Sequence, residues 1–151
     1  MLMNIIKNKS AFALLILLPA VLFLVCSTHE KKETGKETKK TAVTTITSEE
    51  HFNTVVDNAD NRLLVFDMYA DWCKPCKMLS PIMEALAATN TDKAAFYKIN
   101  VDKLQGLAQK FNVSSIPFVL FIKNKIIVES FTGLQPQDVY QQAIDNYSSA
   151  Q

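Results

Sequence analysis

Two thiols lie three residues apart, Cys73 and Cys76, inside the run Asp71-Trp72-Cys73-Lys74-Pro75-Cys76-Lys77. A pair at this spacing can exchange electrons with a disulfide, supply half of a zinc site, or form an inert cross-link. An apolar stretch ends just before the pair and a stretch of helical spacing follows it. Cys73 therefore falls at a helix N-terminus, and Cys76 falls one turn in, on the inward face. Unpaired N–H groups and the helix dipole stabilise an anion at that end, so Cys73 is expected to be the more acidic and more nucleophilic sulfur. Lys74 adds a positive charge beside it. The dipole contributes about 0.3–1 kcal/mol, less than one pKa unit, so several such effects must act together. Cys76 takes the part of resolving thiol. For zinc, His51 and carboxylates are the only further ligands within reach, since Cys26 lies in a different kind of segment. His29 and His51 are assigned no role.

The elements that must position these thiols alternate between strand and helix patterns from Val43 onward, the mark of an α/β domain. A short β-rich run at 43–47 precedes a helix from about Ser48 with Phe52, Val55, Val56 and Ala59 on one face. Residues 63–69, LLVFDMY, are nearly continuous in apolar side chains, as in a central strand covered on both sides, with Asp67 its single charge. The helix at about 73–89 carries Cys76, Leu79, Met83, Leu86 and Ala87 and contains Pro81, which predicts a kink over 77–81. A strand at 95–101 follows, and then Asp102 with Gln105 reads as a capping pair for a helix bearing Leu104, Leu107, Ala108 and Phe111. Strands at 118–123 and 126–131 meet at Asn124-Lys125, where a two-residue turn would favour Gly, so Lys125 predicts a looser turn or strain. The last helix begins near Pro136 and carries Val139, Ala143, Ile144 and Tyr147.

The chain has 151 residues, 48% hydrophobic and 21% charged, which suits one domain plus an appendage. The first 41 residues hold seven lysines against three glutamates, a net +4; the remainder, nine basic against twelve acidic, is net −3. An acidic domain without a basic face is not built for nucleic acid, whose phosphates require clustered Lys and Arg. Residues 11–26, AFALLILLPAVLFLVC, are uncharged and follow Lys7 and Lys9, a signal-sequence pattern. As a helix they reach roughly 24 Å against a hydrocarbon core of roughly 30 Å, a marginal span. Residues 1–28 are thus expected to be an export signal or membrane anchor, 29–42 a charged tether too poor in apolar side chains to fold, and 43–151 the folded domain. Cys26 directly after the apolar run resembles the lipid-modified cysteine of bacterial lipoproteins, although Phe23 and Val25 depart from the usual pattern. Two lysines precede the apolar run and five follow, which alone would keep a retained anchor's domain in the cytosol; the signal-like order favours export.

At this point the chain resembles the thioredoxin family over about 45–148. VFDMYADWCKPCKMLSP resembles that family's active-site segment, with Asp67, Ala70, Trp72 and Pro81 in matching places. KINVD at 98–102, Ser115-Ile116-Pro117 and Gly133 match further landmarks in the same order. The resemblance implies a thioredoxin fold, a central mixed β-sheet flanked by helices on both faces, and a cis Pro117 facing the cysteines. It implies no cofactor beyond a redox-active Cys73-Cys76 disulfide. Lys74 stands where the family commonly has Gly, and Tyr69 where it often has Trp. Disulfide oxidases and isomerases of the superfamily usually carry His between the cysteines; its absence here tilts the expectation toward a reductase.

The implied mechanism begins with Cys73 thiolate attacking a substrate disulfide; Cys76 then attacks Cys73 sulfur to release the client. Asp67, raised in pKa by burial, would take the Cys76 proton, with Lys98 as a candidate partner. The client backbone would lie along Ser115, Ile116 and Pro117, rimmed by Trp72, Lys74, Pro75 and the loop at Gly133. Expected partners are proteins bearing disulfides and a membrane electron donor, because the envelope lacks cytosolic reductants. The domain itself is expected to be monomeric. Oxidase or isomerase activity, or a binding module with incidental thiols, are the competing readings.

Overall fold

The computed structural model describes residues 42–149. The apolar run, Cys26 and nearly all of the tether lie outside the described residues. Nine elements follow in chain order: β1 (Val43–Thr45), α1 (Glu49–Asp57), β2 (Leu63–Tyr69), α2 (Lys74–Thr89), β3 (Ala94–Asn100), α3 (Gln105–Lys110), β4 (Phe118–Lys123), β5 (Ile126–Thr132) and α4 (Gln137–Ser148). The strands form one sheet in the order β1-β3-β2-β4-β5. β1, β3 and β2 run parallel, and β4 and β5 are antiparallel additions. The expected mixed sheet is therefore present, with LLVFDMY at its centre.

The period of two along a strand sorts β2 into two cores. Leu63 and Val65 pack with Leu79, Met83 and Leu86 of α2 and Tyr140 and Ile144 of α4. Leu64, Phe66 and Met68 pack on the other face with Phe52 of α1 and Leu107 of α3. Helices thus cover both faces. The same parity turns Asp67 toward the α2 side, beneath the cysteines.

Local sequence explains most helix ends. Ser48 caps α1, its hydroxyl accepting from His51 N–H at 3.0 Å, and Glu49 and Glu50 complement the dipole. Pro75 sits in the first turn of α2, where its missing N–H costs nothing. α2 continues through Pro81 rather than ending there. The expected cap of α3 is not formed. Leu104 occupies the cap without a side-chain bond, and Gln105 reaches only the Asp102 carbonyl, at 3.5 Å. The Asp102 carboxylate is engaged elsewhere, by Trp72. β1 also ends two residues sooner than its β-rich run, and β3 begins one residue earlier.

Asn124 and Lys125 form a two-residue turn with φ of 51° and 65°. The strained alternative is the one realised: a lysine holds a left-handed position that glycine occupies freely, at about 1 kcal/mol. An exposed ion pair from Lys125 to Asp57, 2.8 Å, accompanies it.

At the end of β4, Lys123 is only 6% exposed. Its ammonium donates to the Tyr147 and Ser148 carbonyls at 2.8 and 2.9 Å, so a strand supplies the cation missing from the last turn of α4. Lys123→Met is expected to lower stability by about 1–3 kcal/mol, because two charge-assisted bonds to helix carbonyls disappear. Urea unfolding midpoints at constant slope would report it. An unchanged midpoint would mean that water replaces the ammonium without cost.

Candidate functional site

β2 delivers the chain to the site, and a turn closed by Cys73 N–H on the Ala70 carbonyl at 3.1 Å redirects it into α2. Cys73 is the N-cap of α2, and Cys76 N–H donates to its sulfur at 3.2 Å. On reduction the same amide and the helix dipole face the Cys73 sulfur, the arrangement that favours a thiolate. The two cysteines are joined as a disulfide with Cα atoms 5.3 Å apart. Each residue is only 3% exposed, within a small cluster of Ala70, Cys73 and Cys76 that Tyr69, Val101 and Ile116 pack against. Reactivity is thus confined to what can seat itself at the surrounding rim.

Trp72 forms part of that rim, 68% exposed, its indole N–H donating to Asp102 Oδ2 at 2.9 Å. The buried Asn100 ties together the turns on either side. Its amide donates to Asp71 Oδ2 at 3.3 Å, and its Oδ1 accepts from Asp102 N–H at 3.0 Å. Asn100 and Asp102 belong to the KINVD segment, but spacing alone gave no hint of these roles. A groove of about 490 Å³ opens beside Trp72, lined by Val101, Asp102, Gln105, Ser115 and Ile116 among others.

The Ile116-Pro117 peptide is cis. The Pro117 carbonyl accepts from Gly133 N–H at 2.8 Å, which joins the two segments expected to meet a client. Gly133 has φ of +80° with nothing within 4 Å of an added Cβ, so its conformation rather than crowding calls for glycine. Lys74 and Pro75 are exposed at the mouth of α2, and Pro81, also exposed, follows a turn and a half further along the helix.

Behind the disulfide, Asp67 is 6% exposed and its Oδ1 has no hydrogen-bond partner. Burial holds its carboxyl at about 7, up from the usual 3.8, with the Lys98 ammonium pulling the other way. The parallel register sets Asp67 beside Lys98, and both line a cleft of about 140 Å³ with Cys76, Lys77 and Ser80. A group that titrates near neutrality in a cleft shared with Cys76 is suited to exchange a proton with that thiol. Among the described residues no group of three or more His, Cys, Asp or Glu is placed to hold a metal ion, and no helix is long and apolar enough to cross a membrane.

Comparison with known proteins gives the same picture. The family model described as Thioredoxin matches residues 41–146. Thioredoxin-2 of Saccharomyces cerevisiae is 38% identical over 104 residues, covering 69% of this chain and 98% of that protein. A peptide-N(4)-(N-acetyl-beta-glucosaminyl)asparagine amidase of Caenorhabditis elegans is 35% identical over 107 residues, 70% of this chain; the chain spans only 18% of that relative's length. The crystal structure of thioredoxin NaTrxh from Nicotiana alata superposes with a TM-score of 0.68 at 32% identity, covering 75% of this chain and 98% of the other.

Proposed function

The chain belongs to the thioredoxin family of thiol-disulfide oxidoreductases, and on that premise we propose that it is a protein-disulfide reductase of the bacterial cell envelope. The observation that carries the reading is the placement of Asp67, near neutrality, in one cleft with Cys76 and Lys98. In the proposed cycle Cys73 thiolate attacks a client disulfide, and one client sulfur leaves as thiolate. Cys76 gives its proton to Asp67 and attacks Cys73 sulfur, so the second client sulfur departs and the Cys73-Cys76 disulfide forms. Two electrons pass to the client. Trp72, Ser115 and Ile116 line the groove in which the client backbone would be held, with Lys74, Pro75, Pro117 and Gly133 around it.

The N-terminal apolar run supports export and attachment to the membrane, through Cys26 if it is lipidated. A membrane dithiol protein would return the electrons, because an oxidising compartment supplies no other reductant. The deciding experiment is titration of the Cys73-Cys76 pair against a dithiol buffer, paired with labelling of intact cells by a membrane-impermeant maleimide. The expected potential lies toward the thioredoxin end, around −270 mV, with Cys73 labelled from outside. A potential nearer about −120 to −180 mV would reassign the protein to oxidation or isomerisation. Protection from the outside label until lysis would remove the envelope location.

A further inference from the structure

Tyr140 is among the largest side chains in the core and is fully buried, its ring edge-on to Phe131 at 5.6 Å. A phenol at such a depth must satisfy a hydroxyl that phenylalanine would not carry. Here the hydroxyl accepts from Gln135 N–H at 3.1 Å and lies 3.5 Å from the Gly133 carbonyl. Both partners belong to the turn after β5. That turn is otherwise lightly held at Gly133, where no atom would meet a Cβ. Its position rests on Gly133 N–H to the Pro117 carbonyl at 2.8 Å, on the Tyr140 hydroxyl, on Gln135 Nε2 to the Thr132 carbonyl at 3.2 Å, and on Leu134 packed against the core. The first bond leads straight to the segment Ser115-Ile116-Pro117.

We propose that Tyr140 is a positioning residue for client binding: its hydroxyl anchors the Gly133–Gln135 turn to α4 and so fixes, through the Gly133 to Pro117 bond, the rim against which a client backbone is read. The inference rests on the reductase reading above. Tyr140 is absent from the residues around the cysteines and from the cleft of Asp67 and Cys76. The Asp67 charge reaches its phenol, but its hydrogen bonds go to the turn, so its hydroxyl acts chiefly on binding.

The test is Tyr140→Phe in the full-length protein, which keeps the ring and removes one oxygen. With insulin as the disulfide probe, KM is expected to rise about three- to tenfold, the loss of one hydrogen bond, with kcat within about twofold. The rate with the small disulfide DTNB and the pH profile of Cys73 alkylation should match wild type. Hydrogen exchange at the Gln135 amide should accelerate at least about tenfold in the variant. In the wild-type protein, that amide should be protected relative to the Leu134 amide, for which no partner is seen among the described residues. An unchanged KM, an unprotected Gln135 amide in wild type, or a fall in kcat with a displaced pH profile would each overturn the proposal. The last would tie the hydroxyl to Asp67 instead. Wild-type protein that fails to reduce insulin while Gln135 is protected would overturn the reductase premise, and only the client-binding role with it.

Discussion

A Cys76→Ser protein is expected to lose on the order of 10³-fold or more in disulfide turnover and to accumulate as a covalent adduct with its client through Cys73 sulfur. The first exchange needs only Cys73, which keeps its place at the α2 N-terminus and the dipole behind it. The second needs a thiolate at position 76, and a serine hydroxyl is far too weak an acid and nucleophile to supply one. Cys73 is itself buried, 3% exposed, so an external thiol has poor access to the Cys73 sulfur of the adduct. The adduct should therefore persist long enough to appear as a higher-mass band on a non-reducing gel and to vanish with dithiothreitol. Cys73→Ser should be equally inactive and form no adduct. Adducts on Cys73→Ser but not on Cys76→Ser would reverse the two roles, and full function in the doubly substituted protein would leave only a binding module.

What the sequence made legible follows from how local each signal is. LLVFDMY announces a strand covered on both faces by its composition alone, and its parity places Asp67 on one of them. The start of α2 is equally local, since Pro75 can stand in a first helical turn but is poorly tolerated deeper in a helix. The cap of α3 escapes the sequence because the helix caps at Leu104, two residues past Asp102, and the fold turns the Asp102 carboxylate toward Trp72. Asp102 looks like a cap until the fold brings Trp72, thirty residues earlier, to its side. Counting apolar residues along α4 selects Val139, while the side chain that enters the core is its neighbour Tyr140, whose polar tip is paid for by a turn that only the folded chain presents. Lys123 is hidden from sequence for the same reason. A lysine reads as surface unless the carbonyls of α4 are known to converge on it. The site divides in the same manner: cysteines, Asp67 and the Ile-Pro segment are legible as motifs, whereas Asn100, which holds two of the surrounding turns, has no local signature.

Asp67→Asn is expected to make the protein more stable, by an amount that grows with pH. The carboxyl titrates at about 7 in the folded chain against 3.8 when unperturbed, so between these values the folded state holds a proton that the unfolded state has released. Stability from this group is fully present below pH 3.8, declines as pH rises, and is lost above about 7, where a desolvated charge must be kept in place. A shift of about 3 units is worth about 4 kcal/mol at about 1.4 kcal/mol per unit. The asparagine amide is neutral throughout and nearly the same shape. The stability gap between variant and wild type, measured by urea unfolding of the disulfide forms, should therefore widen by about 4 kcal/mol from pH 4 to pH 8. A gap that stays constant would mean that Asp67 is not titrating in this range, and one that widens toward low pH would mean that it is a stabilised carboxylate. The orphaned Oδ1 sits where a merely structural residue would be apolar, and the cost of keeping an acid there rises until the carboxyl ionises at about 7. A fold retains such a residue when the chemistry needs it.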